Sequence, residues 1–321
     1  MSTYNSLAEL LHDEYNLQVN VTTNIYDAIN KIFQITTDTD TLIIKLINRH
    51  HCTKYRISFE RKIMNYAYSN HINVSQPFLP TSKNEPIYRL EDQAYYSILT
   101  RKCTGHQHSS NSSHQTNYIL FGKALSELHN LPTPQLNNPK FDTSKPSHLI
   151  STISAHSNSP LANILKTIIY NLYQNIESTR AAEIENTKRC ICHGDAWPGN
   201  ALYSNNSCTL IDFEHTRIAD PTFDISTFIW WLTGLNYSER EKFNLWKNFA
   251  KGYGMAEKSL LNKNTKTMIK INQLRSLIFL YNNIILNKEI INYAHLQTSN
   301  LINKLNTSLK QDQILEALWN S

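Results

Sequence analysis

The chain has 321 residues, of which 40% are hydrophobic and 18% charged, enough apolar side chain for a core and too little charge for wholesale disorder. This length favours two packed lobes sharing a cleft over one continuous core. The formal net charge of +5 comes from basic residues dispersed along the chain, which argues against a nucleic-acid partner, and no apolar run approaches membrane-spanning length.

The opening residues lack the basic start and apolar stretch of a secretory signal. Five scattered cysteines, Cys52, Cys103, Cys190, Cys192 and Cys208, contain no CxxC pair, so reduced thiols in a cytoplasmic protein are expected. Residues 5–16 predict a short leading helix. Leu17–Thr22 and Asn30–Thr36 alternate apolar and polar side chains as half-buried strands do. After the turn chemistry of Thr37-Asp38-Thr39-Asp40 comes Thr41–Ile47, a β-rich run whose one charge, Lys45, calls for a partner.

Ile57, Met64 and Tyr68 recur at helical spacing around Glu60, predicting a helix of about four turns. Glu60 is the expected partner of Lys45, with Glu91 and Asp92 as competitors. Two strands, Pro86–Leu90 and Ala94–Thr100, precede the polar stretch Gly105–His114, where the lobe boundary is placed: residues 1–105 form one lobe and 106–321 the other. The histidines of that stretch read as a solvated loop and not as metal ligands. Helices dominate afterwards, over Tyr118–His129, Leu161–Glu177, Phe223–Leu232, Glu239–Tyr253, Met268–Ile285 and Leu301–Trp319.

The chemistry concentrates in Cys190-Ile191-Cys192-His193-Gly194-Asp195-Ala196-Trp197-Pro198-Gly199-Asn200, a strand running into a loop rich in Gly and Pro. A predicted hairpin, Ala201–Tyr203 with Thr209–Ile211, then returns the chain to Asp212 beside Asn200. Phosphoryl transfer needs a carboxylate to orient the attacking hydroxyl and oxygen ligands for magnesium, and Asp195, Asn200 and Asp212 are residues of those types. Cys192 and His193 raise zinc as an alternative, but no second matching pair exists. Asp224 is expected to tie the Asp195 loop to the helical lobe through backbone contacts, and His193 to brace that loop.

His193-Gly194-Asp195 with Asn200, followed by Ile211-Asp212-Phe213-Glu214, resembles the aminoglycoside phosphotransferase and choline kinase group of kinase-like enzymes. The resemblance extends to Phe121–His129, similar to the family's helix ending in Leu-His, and to Asp220-Pro221-Thr222-Phe223-Asp224. Upstream, Ile29–Gln34 looks like the nucleotide-loop strand. It implies an α+β, two-lobed protein-kinase-like fold with a small β-rich N-lobe and a larger helical C-lobe. It also implies Asp195 as the catalytic carboxylate, Asn200 and Asp212 as Mg2+ ligands, and Lys45, Glu60 and Asn30 as nucleotide contacts, with ATP as donor and GTP as the alternative. One departure is that Thr22–Ala28 contains no glycine where many relatives have one or two, which raises a catalytically weak nucleotide-binding module as the reading of another class.

Eleven residues between Asp212 and Asp224 leave no room for the long activation segment of a protein kinase, and Glu214 stands where a glycine would follow Asp-Phe, so the acceptor is expected to be a small-molecule hydroxyl. The family's acceptors include aminoglycosides, choline, ethanolamine, homoserine, thiamine and sugars. From Asn236 onward twelve Lys or Arg face six Asp or Glu, which argues against a polycation, while Trp230, Trp231, Tyr237, Phe243, Trp246, Phe249, Tyr253, Tyr281 and Tyr293 could cage an ammonium group. The reading leans to an amino alcohol such as choline or ethanolamine, with no nucleic-acid or membrane partner.

Overall fold

The computed structural model describes residues 3–27, 30–50, 52–82, 85–90, 92–108, 115–139, 145–153, 159–180, 189–261, 264–307 and 314–319. Glu91, residues 109–114 of the polar stretch and residues 308–313 of the last predicted helix lie outside them. The chain forms two compact units. The first comprises Met1–His108, Pro134–Pro139 and Gly199–Thr216, and the second Ser109–Thr133, Lys140–Pro198 and Arg217–Ser321.

The first unit is built on a seven-stranded sheet of β1 (Thr3–Tyr4), β2 (Val21–Asp27), β3 (Asn30–Thr36), β4 (Thr41–Asn48), β5 (Pro77–Phe78), β6 (Ile87–Leu90) and β7 (Gln93–Arg101). The order is β1-β6-β7-β4-β3-β2, with β5 also on β7; every pairing is antiparallel except β1 with β6. Two helices complete it, α1 (Leu7–Tyr15) and α2 (Lys54–Ser69). Ser6 caps α1 by accepting from the Ala8 and Glu9 amides, and Asn16 closes it in the left-handed region at φ 54°.

β4 shows why this sequence places Lys45 where it does. Side chains along a strand alternate faces. Leu42, Ile44 and Leu46 are fully buried and join Leu10 and Leu11 of α1, Ile35 and Leu99 in one core. Burying such side chains contributes roughly 1.5–3 kcal/mol each, so the register is firmly specified and Lys45 is turned to the opposite face. There it lies between Ile32 of β3 and Ile98 of β7. From α2, buried Arg61 pairs with Glu85 and donates to the Ser97 carbonyl and, at 3.3 Å, to Tyr15 Oη.

The same unit holds the hairpin Ala201–Tyr203 with Cys208–Leu210, to which His106–Gln107 adds a third strand. The Ile211 amide donates to the Asn200 carbonyl at 3.0 Å, closing the hairpin base so that Asn200 and Asp212 emerge at the same end.

The second unit is helical, with α3 (Gln115–Asn130), α4 (Pro146–Ile150), α5 (Pro160–Arg180), α6 (Thr222–Thr233), α7 (Glu239–Tyr253), α8 (Thr265–Asn283), α9 (Lys288–Thr307) and α10 (Ile314–Trp319). α5, α8 and α9 share a core of Leu165, Ile169, Leu172, Leu274, Leu277, Ile291 and Ala294. α3 and α7 pack through two glycines. A Cβ on Gly122 would lie 2.1 Å from the Phe249 carbonyl oxygen, and one on Gly252 would lie 1.9 Å from that of Ile119. Ser238 and Glu241 form a reciprocal capping box at the start of α7, and Gly254 ends it at φ 81°. The two short strands Cys190–Cys192 and Arg217–Ala219 pair antiparallel and present the segment that contains Asp195.

The structure departs from the expected elements in two places. The strand expected over Leu17–Thr22 lies later, at Val21–Asp27, as an exposed β2 with a bulge between Asn24 and Tyr26. Helix α9 begins at Lys288 and not near Leu301. Its buried Ile291, Ala294, Leu301 and Leu305 are interrupted by polar residues that hide the period. Among the described residues no helix is long and apolar enough to cross a membrane.

Candidate active site

Five of the six candidate residues, Lys45, Glu60, Asn30, Asn200 and Asp212, lie in the first unit, and Asp195 lies in the second. In the first unit the Lys45 ammonium donates to Asp212 Oδ1 at 2.5 Å and to Glu214 Oε2 at 2.6 Å. Asn30 Nδ2 donates to the same Glu214 oxygen at 3.1 Å, and His215 Nε2 stands 3.3 Å from Glu214 Oε1. Burial alone would lower the Lys45 pKa, but the charges of Asp212, Glu214 and Glu60 outweigh it and hold the ammonium well above its ordinary value. Glu214 is displaced the other way: burial works to raise it, yet Lys45 and the His215 contacts keep its carboxyl well below the usual range.

The expected Lys45–Glu60 ion pair does not form. Glu60, 2% exposed on α2, stays within the influence of Lys45, while Asp212 and Glu214 occupy the ammonium. Glu60 Oε2 is buried without a hydrogen-bond partner, and burial pushes the carboxyl up to about 7 against the lowering effect of Lys45 and Arg56. A buried carboxyl with no cation closing on it holds its proton near neutrality.

Asp212 adopts φ 63°, the left-handed region that Asp tolerates better than most residues. Its side chain is 41% exposed, which leaves carboxylate surface open to a cation beyond Lys45. Asn200 and Asp212 are oxygen donors at one end of one hairpin. That is the donor chemistry of magnesium, and a nearby ammonium suits nucleotide phosphates, so the residues present fit both groups.

Arg56, in the first turn of α2, was not anticipated. It donates through Nε to the Glu214 carbonyl at 2.6 Å, again to that carbonyl through Nη2, and through Nη1 to the Thr216 carbonyl at 2.7 Å. It thereby clamps the backbone after Asp212. A signal existed: Lys54 and Arg56 place cations in the first turn of a helix with no acidic residue, against the helix dipole, which points to a tertiary partner.

In the second unit Asp195 follows the strand Cys190–Cys192, partly exposed, with its amide 3.4 Å from His193 Nδ1 and its carbonyl accepting from the Trp197 amide at 3.1 Å. Fully buried Asp224 holds the start of this loop. Its Oδ2 accepts from the His193 amide at 2.6 Å and its Oδ1 from the Gly194 amide at 2.8 Å, while His129 Nε2 sits 3.0 Å from Oδ2. Gly194 supplies the φ of 87° that the turn requires. Burial would raise Asp224, but the His129 hydrogen bond, the His129 and His193 charges and the Gly194 amide together hold it below the ordinary carboxylate value. His129 is oriented in turn by the Tyr253 hydroxyl on Nδ1 at 2.7 Å.

The structure also sorts the aromatic residues. Trp246 and Phe249 are fully buried, Tyr281 is 7% exposed, and Trp230 donates to Gln273, so these serve the core. Trp231 remains half-buried, with ring centroids 6.1 Å from Trp197 and 6.3 Å from Tyr118.

The sequence model of the phosphotransferase enzyme family matches residues 23–254. A search of the curated proteins found no match. Among solved structures, an amicoumacin kinase in complex with AMP-PNP and Ca2+ superposes with a TM-score of 0.67 at 15% identity, covering 91% of each chain. A microcompartment-associated aminopropanol kinase gives 0.66 at 11% identity over 96% of this chain and 98% of that one. The choline kinase LicA from Streptococcus pneumoniae gives 0.59 at 13% identity over 94% and 98%. The chain belongs to the phosphotransferase enzyme family and is a small-molecule kinase with the two-lobed protein-kinase-like fold.

Proposed function

We propose that this kinase transfers the γ-phosphoryl group of ATP to a hydroxyl of a small amine-bearing molecule, with an amino alcohol such as choline or ethanolamine as the leading class. The observation that carries the reading is the Lys45 ammonium held by two carboxylates, Asp212 and Glu214, on a hairpin that also bears Asn200. Bound ATP with Mg2+ supplies the transferable phosphoryl group and the cation that neutralises its charge.

Lys45 exchanges part of its carboxylate pairing for the nucleotide phosphates. Asn200 and Asp212 would hold the metal through side-chain oxygens, and Asn30 and Arg56 keep Glu214 and its backbone in position. Asp195 orients the acceptor hydroxyl and takes its proton as the oxygen attacks. Asp224 fixes the loop so that the Asp195 carboxylate is presented in one geometry, and that positioning lowers the entropic part of the barrier.

Support for an amine-bearing acceptor comes from Trp197, two residues past Asp195 and packed on Trp231, whose ring also meets Tyr118, an aromatic cluster suited to a cation. The aminopropanol and choline kinases among the structural neighbours are consistent with it. A second reading, a weak nucleotide-binding module, is favoured by the glycine-free, exposed β2 strand at the expected nucleotide loop. The experiment is nucleotide consumption with Mg2+, using ATP and GTP against amino alcohols, aminoglycosides, homoserine, thiamine and sugars. Acceptor-dependent turnover with choline or ethanolamine supports the proposal. Turnover with another compound alone redirects the substrate class, and the absence of both turnover and Mg2+-dependent nucleotide binding supports the second reading.

A further inference from the structure

The second unit carries a cluster whose two sulfurs have no part in the proposed phosphoryl transfer. Cys190 and Cys192 are two apart on one strand, so their side chains share a face. Both are buried, with sulfurs 3.7 Å apart. A ring nitrogen of His129, brought from α3, lies within 4.8 Å of both sulfurs. We propose that His129, Cys190 and Cys192 form a buried binding site for one thiophilic metal ion of the zinc class, at the root of the loop that carries Asp195.

The spacing is the first argument. Two thiolates on a tetrahedral zinc ion, each about 2.3 Å from the metal, stand about 3.8 Å apart, and these sulfurs already have that separation. The second argument is orientation. A metal-binding histidine commonly donates its other ring N–H to a carboxylate, which fixes the tautomer. Asp224 Oδ2, 3.0 Å from His129 Nε2, is placed to be that acceptor, and with the proton on Nε2 the free ring nitrogen would be Nδ1. Nδ1 now meets the Tyr253 hydroxyl at 2.7 Å, so the ion displaces this hydroxyl or takes its oxygen as the fourth donor. The third argument is donor softness: two sulfurs and an imidazole select zinc-class ions and reject Mg2+, which keeps the site chemically separate from the oxygen donors Asn200 and Asp212.

The two thiols interact with each other and with the Ala219 and Asp220 carbonyls at 3.5 and 3.4 Å. A divalent ion entering the site converts both thiols to thiolates and releases two protons to solvent, and the two negative sulfurs balance its charge. The sequence concealed the site because its imidazole comes from a helix sixty residues upstream of the CxC pair.

The test is a titration of reduced, metal-free, full-length protein with Co2+. The expected result is thiolate-to-cobalt charge-transfer absorption with tetrahedral d–d bands. The signal saturates at one ion per chain, is reversed by Zn2+ and is unaffected by Mg2+, with about two protons released per ion. Cys190→Ser and Cys192→Ser each diminish the thiolate band, while Cys208→Ser, a buried cysteine of the first unit, retains it. Absence of the bands in the wild-type protein overturns the proposal without recourse to any variant. Bands that persist unchanged in folded Cys190→Ser and Cys192→Ser, with tryptophan fluorescence as the folding check, overturn it equally.

Discussion

Replacing Asp224 with Asn tests how the loop bearing Asp195 is held. The carboxylate is fully buried and takes two amide hydrogen bonds, from His193 at 2.6 Å and Gly194 at 2.8 Å, with His129 Nε2 at 3.0 Å as a third contact. An amide keeps one oxygen acceptor and turns the other position into a donor, so at least one of the three becomes a donor facing a donor. A hydrogen bond to a charged group is worth about 1.5–3 kcal/mol, and a buried orphan costs about 1–3 kcal/mol more, so a loss of about 2.5–6 kcal/mol is expected. All five tryptophans, Trp197, Trp230, Trp231, Trp246 and Trp319, lie in the second unit, and urea denaturation followed by tryptophan fluorescence therefore reports on that unit.

The pH dependence carries a definite sign. Because the folded-state pKa of Asp224 is lowered, its contribution is complete above the unfolded carboxylate value of about 3.9 and disappears as pH falls through the lower folded value. The gap between wild type and Asp224→Asn is thus constant from neutral pH to about 5 and closes in stronger acid. Equal stability at pH 7 within about 0.5 kcal/mol, a difference typical of inconsequential surface substitutions, refutes the reasoning.

Three other perturbations probe separate parts of the structure. Lys45→Ala removes the ammonium that Asp212 and Glu214 share, and loss of one charge-assisted contact of about 1.5–3 kcal/mol predicts roughly 10- to 100-fold weaker Mg2+-nucleotide binding by calorimetry; unchanged affinity contradicts its role. Glu60, raised to about 7, binds a proton more readily folded than unfolded, so its ionisation withdraws stability as pH rises from about 4.5 through 7. Glu60→Gln should therefore slow hydrogen exchange across β4 at pH 8 and leave it unchanged at pH 4, whereas equal exchange at both pH values contradicts the assignment. Gly122→Ala pushes a methyl group against the Phe249 carbonyl and should destabilise the second unit by about 1–3 kcal/mol or more in the fluorescence assay, while a neutral effect denies the close approach of α3 and α7.

Local pattern carried much of this fold. The β-rich run Thr41–Ile47 identified a strand whose lone charge, Lys45, needed a partner, and Ala201–Tyr203 with Thr209–Ile211 anticipated a hairpin that brings Asp212 beside Asn200. The role foreseen for Asp224 follows from a carboxylate just inside a helix, near a glycine turn with amides to satisfy, and its hydrogen bonds are as anticipated.

What escaped notice depends on tertiary placement. Glu60 had the right charge and a plausible spacing to meet Lys45, yet Asp212 and Glu214, some 170 residues away in sequence, take the ammonium. No local pattern ranks carboxylates by reach. Arg56 and the His129–Tyr253 pair act across 158 and 124 residues, and only the unfavourable charge at the start of α2 hinted at the former.

The most direct test of the central claim is Mg2+-dependent phosphoryl transfer to a small-molecule hydroxyl by the wild-type protein beside Asp195→Asn. The account predicts acceptor-dependent turnover in the wild type and its loss in the variant, with nucleotide affinity retained, because the proposed role of Asp195 is toward the acceptor and not the nucleotide. Near-normal turnover in Asp195→Asn contradicts it.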